Sequence, residues 1–343
     1  MSKRWFLMLS KILCGVLSAL MIGGLSACGR KEEVSHKEQA RVGVSYLFDT
    51  NYLYHMLSVA KCGYDNDYSK KYRSYHDEKD LAILKENERF ITIKGGEYKG
   101  ELLDIALAPA CFQGRLSAKD YFKALMDGEI STYAHKNSEG ADDETDEFLS
   151  TIQEKIEALN EENQEKLKLI AKVFYDNYDI YYEKIWPQSE KELIETKKKI
   201  EAYWKQQDFV NKWEELTGYQ YDENGFVIEL VNGIEGGVEA IIIGNHDLFS
   251  IPTEANWDYE IHLMCHELGM FLLLQNLFGE DINDNEKYMA MESLVEFYTL
   301  QIIQDSTTSM FDEQIIKEYQ KMQEEHPDWG AEKLYKAYLE KAL

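Results

Sequence analysis

Glu260-Ile261-His262-Leu263-Met264-Cys265-His266-Glu267-Leu268-Gly269-Met270-Phe271-Leu272-Leu273-Leu274 reads as one helix, by its length and its apolar content. Set into that apolar run are His262 and His266, four residues apart and so on one face. Ahead of it, across a loop, stand two strand-like segments, Phe226–Val231 and 238–244, with a glycine-containing stretch at 233–237 between them. That arrangement predicts an antiparallel hairpin. Beyond it comes Met289-Ala290-Met291-Glu292-Ser293-Leu294-Val295-Glu296-Phe297-Tyr298, a further helix with Glu292 and Glu296 one turn apart. The fold class expected is therefore α+β and predominantly helical, with a small antiparallel sheet beside the 260–274 helix.

Working outward, helical stretches are expected at 148–159, 161–182 and 190–217, with Pro187 between the last two. Tyr175, Tyr178, Tyr181 and Tyr182 fall near one face of the middle one, a pattern of core rather than of a binding stripe. The acidic run at 139–147 lacks the ligand spacing of a calcium loop and reads as a solvated connection. It divides the mature chain into an N-terminal α+β region, 41–140, and a helix-rich region, 141–343. In the first, 41–48 and 90–94 have strand character and 50–60 looks helical, while the Tyr- and Asp-rich 64–76 reads as a well-packed helix with exposed acids rather than the alternative, a partner-binding loop. Ser117 caps a helix to Asp127, with Asp120 at its third position. There is no alternating βαβ series of the kind a two-lobed α/β solute receptor would need.

The start of the chain has a different logic. Lys3, Arg4 and Lys11 precede an apolar stretch at 12–25, too short to span a bilayer comfortably and suited to the core of a signal peptide. It ends in Leu25-Ser26-Ala27-Cys28, which resembles the bacterial lipobox. The resemblance implies cleavage after residue 27, a covalent lipid on Cys28, a short tether over 28–40, and a lipid-anchored protein on the extracytoplasmic face of the cell membrane. The bilayer is then a partner through the anchor. Loss of the three cations takes the formal charge from −26 to −29. So acidic a surface excludes nucleic acid as a partner. Cys62, Cys111 and Cys265 remain, an odd number without metal-type spacing, so no disulfide framework is expected.

His266-Glu267-Leu268-Gly269-Met270 resembles the active-site helix of the zincin metallopeptidases, whose motif is H-E-x-x-H. In the gluzincin branch a glutamate some two dozen residues on is the third zinc ligand, and Glu292 stands 26 residues after His266. The resemblance spans about 213–303. It implies zinc on His266 and Glu292, Glu267 as the general base toward a metal-bound water, and Glu296 as a residue that orients a ligand. The departure is Met270 in place of the second histidine, because a thioether suits copper(I) better than zinc. His262 offers a substitute ligand, and His246 another from the end of the hairpin. With the His262–His266 pair, however, Glu267 lies beyond the two ligands rather than between them. Three readings follow: a degenerate zincin-like domain that binds a peptide or protein ligand, an active zinc peptidase with an unusual ligand set, and a helical lipoprotein unrelated to either.

Overall fold

The computed structural model describes residues 42–63, 66–92, 102–112, 114–138, 143–221, 226–234, 238–243, 246–278, 285–303 and 313–342. The signal peptide, Cys28 and the tether lie outside the described residues. The elements are β1 (Val42–Ser45), α1 (Phe48–Val59), α2 (Asp67–Tyr72), α3 (Glu78–Glu86), α4 (Glu88–Ile91), α5 (Leu103–Ala106), α6 (Ala118–Asp127), α7 (Ile130–Ser138), α8 (Asp143–Glu157), α9 (Glu161–Lys184), α10 (Trp186–Gln207) and α11 (Phe209–Thr217). There follow β2 (Phe226–Val231), β3 (Val238–Ile243), β4 (His246–Ser250), α12 (Trp257–Leu273), α13 (Asn285–Ile302), α14 (Glu313–Glu325) and α15 (Ala331–Ala342). The chain is predominantly helical with one small sheet, as its composition predicts.

The sheet corrects the expected one. Its strand order is β1-β2-β4-β3, with β1 parallel to β2 and β3 antiparallel to β4. The sheet is thus mixed, and the hairpin is β3–β4 rather than β2–β3. The residues after β2 explain this. Asn232 donates its backbone N–H to Asn51 Oδ1 (2.9 Å), and Asn51 Nδ2 donates to the Leu230 carbonyl (3.0 Å). A Cβ on Gly233 would lie 2.6 Å from the Tyr54 carbonyl oxygen. The chain leaving β2 is therefore held against α1 and does not turn straight back. Only Gly244 and Asn245 separate β3 from β4 in sequence, a dipeptide suited to a two-residue hairpin.

Three further expectations change. The segment from residue 90 enters as helix, α4, and Thr92 is extended after it; 93–94 lie outside the described residues. The stretch at 190–217 is two helices, because Asp208 takes a left-handed conformation (φ 57°) between α10 and α11. The first strand stops at Ser45 and Phe48 already begins α1. The Ser117 cap is as expected, its hydroxyl accepting from the Asp120 N–H at 3.2 Å.

The chain forms two compact units. One comprises 46–195 and 230–235. The run at 139–147 falls inside it rather than at a boundary. Its centre is α1, in which every residue from Thr50 to Val59 is buried. Phe48 meets the rings of Tyr52, Tyr178, Tyr181, Tyr182 and Trp186 at centroid separations of 5.0–6.3 Å. Of the tyrosine stripe on α9, Tyr181 is core, whereas Tyr182 is exposed. The other unit comprises 42–45, 196–229 and 236–343. It carries the sheet and packs α12 on α13, with α11, α14 and α15 around α13. Trp213, Tyr298 and Tyr319 are its largest buried side chains.

Candidate functional site

α12 is apolar on almost every face and is buried accordingly: all residues from Glu260 to Leu273 are buried except Glu267. A helix so enclosed brings its polar groups inside with it, and they must find partners there. Gly269 allows this depth. A Cβ at that position would stand 2.2 Å from two carbons of the Trp213 indole, so the ring lies directly on the helix backbone. Trp213 Nε1 donates to the Cys265 carbonyl (3.1 Å), and the Tyr221 hydroxyl donates to the Leu268 carbonyl (2.9 Å).

The partners of the α12 histidines come from α13. His266 Nε2 lies 3.0 Å from Glu292 Oε2, and His266 Nδ1 lies 3.1 Å from Glu296 Oε2. His262 Nε2 reaches both oxygens of Glu296, at 3.1 and 3.0 Å. His266 and Glu296 are fully buried, His262 and Glu292 nearly so. The spacing of four on each helix makes this possible, since each pair presents two groups at one height per turn.

With a carboxylate on each ring nitrogen, His266 is best satisfied as an imidazolium donating both N–H groups. Burial alone would lower its pKa, but the hydrogen bonds to Glu292 and Glu296 outweigh burial and raise it to about 10. Burial would push Glu296 up, yet the hydrogen bonds from His262 and His266 hold it down at about 2. The centre is a buried charge cluster.

Glu267 points elsewhere on the helix and is partly exposed. Burial of its carboxyl and the nearby Glu292 raise its pKa to about 7, against the lowering effect of His266. A further acid, Asp247 on β4, was not legible in the sequence. It is buried, its Oδ1 has no hydrogen-bond partner in the structure, and burial together with the charge of Glu267 raises its pKa well above the usual range. The charge of Glu267 thus disfavours ionisation of Asp247. Nothing in the alternation of β4 marks Asp247 as inward; its place in the sheet does. Cys265 is a buried thiol pushed up to about 12 by burial, so it is neither a nucleophile nor a ready ligand.

The expected site residues are thus brought together, apart from His246, whose side chain lies outside the described residues, and Cys28. Among the described residues the arrangement supplies two of the three protein ligands that a catalytic zinc takes. His266 Nε2 and Glu292 share one locus, but His262 Nε2 is turned to Glu296, and Met270 is buried. Among the described residues no group of three His, Cys, Asp or Glu side chains is placed to hold a metal ion. An open depression of about 350 Å³ lies in the same unit, lined by residues including Thr196, Lys199, Thr253, Trp257 and Asp258, and by none of the cluster.

No known protein family matches the chain, and neither the curated proteins nor the solved structures yield a match. Among the described residues no helix is long and apolar enough to cross a membrane.

Proposed function

We propose that this is a lipid-anchored extracytoplasmic binding protein built on a zincin-like helix pair whose metal chemistry has been lost. The single observation that carries the reading is the ligand count. At His266 Nε2 only Glu292 stands beside it, while His262 Nε2 is turned to Glu296, so among the described residues a zinc ion would lack a third protein ligand. The helix pair then serves as a rigid scaffold and the ligand is a peptide or protein met outside the membrane. The lipobox at 25–28 supports the anchor.

The test is metal content by mass spectrometry on the soluble mature chain from Gly29 after incubation with zinc, beside His266→Ala. Less than a tenth of an equivalent in both supports the reading. About one zinc per chain, lost in His266→Ala, overturns it and establishes a metal site, and protease assays with Glu267→Gln as control would then test for a peptidase. For the anchor, Cys28→Ala should move the protein from the membrane to the soluble fraction; retention of the variant on the membrane would refute lipidation at that residue.

A further inference from the structure

The 46–195 unit holds a second pair of histidines, remote in sequence from α12. His55, on α1, is fully buried, and His76 follows the short 3-10 turn Arg73–Tyr75 after α2 and is 7% exposed. Their Nε2 atoms lie 2.8 Å apart. The surrounding contacts place every proton. Asn177 on α9 donates Nδ2 to Asp80 Oδ2 and to the Val173 carbonyl, both at 2.9 Å, so its Oδ1 is the atom facing His76 Nδ1 at 2.8 Å. His76 Nδ1 therefore carries the hydrogen and its Nε2 is the acceptor. His55 Nε2 must donate to it, which leaves His55 Nδ1 to accept from the Tyr68 hydroxyl at 2.9 Å. One directed chain runs from Tyr68 through His55, His76 and Asn177 to Asp80. It joins α1, α2, α3 and α9.

That chain is fully satisfied with both rings neutral. A proton added at His76 Nε2 sets two N–H donors against each other at 2.8 Å. A proton added at His55 Nδ1 requires the Tyr68 hydroxyl to reverse. The neighbours offer little to offset the charge. Tyr68 and Tyr72 face His55 from α2 and Tyr181 from α9, at centroid separations of 4.7–6.0 Å, and their rings are neutral. Asp80, on α3, is the one carboxylate acting on His76, while Arg73 is engaged by Glu78 and the Val59 carbonyl and Glu192 on α10 acts on Tyr68. Burial lowers the pKa of both histidines, and His76 lowers that of His55 further.

We infer that the His55–His76 contact is an acid-sensitive latch, which holds the segment 66–76 against α1 and α9 when both rings are neutral and releases it on protonation. Hydrogen exchange on the mature chain tests this, read as protection factors corrected for the intrinsic rate. Opening frees each histidine to titrate at its ordinary value of about 6.5. Between pH 7.5 and 5.0, protection across 66–76 should then fall by about 30-fold if one ring takes a proton on opening, and by about 1000-fold if both do. Protection in α6 of the same unit should change less than threefold. His76→Gln should keep at most the one-ring response. Should that variant fail to fold, the ring resonances of the wild-type chain decide: in the closed form both histidines titrate below their ordinary value. Unchanged protection at pH 5.0, a parallel loss in α6, or free titration of both rings near 6.5 would each overturn the latch.

Discussion

Substituting Gly269 by alanine tests the packing on which the candidate site rests. In an exposed helix interior the change stabilises by about 1 kcal/mol. Here the added Cβ would meet two indole carbons of Trp213 at 2.2 Å and a third at 2.8 Å. The ring must retreat by about 1.2 Å to reach ordinary contact. Trp213 has no free direction, being wholly buried, hydrogen-bonded to the Cys265 carbonyl and set edge-on to Tyr298 at 6.1 Å. Overpacking of this kind costs about 1–3 kcal/mol. Pulling the indole N–H off its carbonyl costs a similar amount, about 1–3 kcal/mol. Against the propensity gain, the net loss is about 1–5 kcal/mol. For a unit of this size that lowers Tm by roughly 2–20 °C, readable by calorimetry or circular dichroism. In a Trp213→Leu background the same alanine should be neutral or mildly stabilising. A Gly269→Ala chain that melts at or above the parent would refute the argument.

The charge cluster predicts an asymmetric pH profile. His266 is raised from 6.5 to about 10, so its contribution is fully present below pH 6.5 and is lost as pH rises toward 10. Glu296 is lowered from 4.5 to about 2, so its contribution is present above pH 4.5 and is lost as pH falls toward 2. Tm followed from pH 3 to 10 should peak between these limits, and His266→Gln should remove the alkaline decline; a decline that survives in the variant would count against the imidazolium. Glu267 has the opposite sense: a carboxyl raised to about 7 opposes folding above pH 4.5. Glu267→Gln should accordingly raise Tm at pH 8 and leave it nearly unchanged at pH 4, whereas a lower Tm at pH 8 would show a stabilising carboxylate there.

Much of the architecture was legible because helix formation is local. The apolar run at 260–274 and the Ser117 cap act within a few residues, and each produced the expected element; Pro187, expected between two helices, instead sits in the first turn of α10, and the break falls at Ile185. The helical period also put His262 with His266, and Glu292 with Glu296, on common faces before any tertiary contact was known. The strand character expected from residue 90 gave way to helix at 90–91 for the converse reason. A short apolar run fits strand and helix alike, and burial of Ile91 in the unit settled it as the end of a helical turn.

By itself, then, the sequence determined the helices, the face that each pair of site residues shares, and the acidic character of the surface. Only the tertiary structure decided the sheet and the chemistry of the cluster. Strand partners depend on where the chain is held after each strand, and Asn51 and Gly233 hold it against α1 after β2. A ligand spacing does not say which way a ring nitrogen points. The packing of α13 against α12 set Glu296 between His262 and His266 and turned the His262 ring toward it.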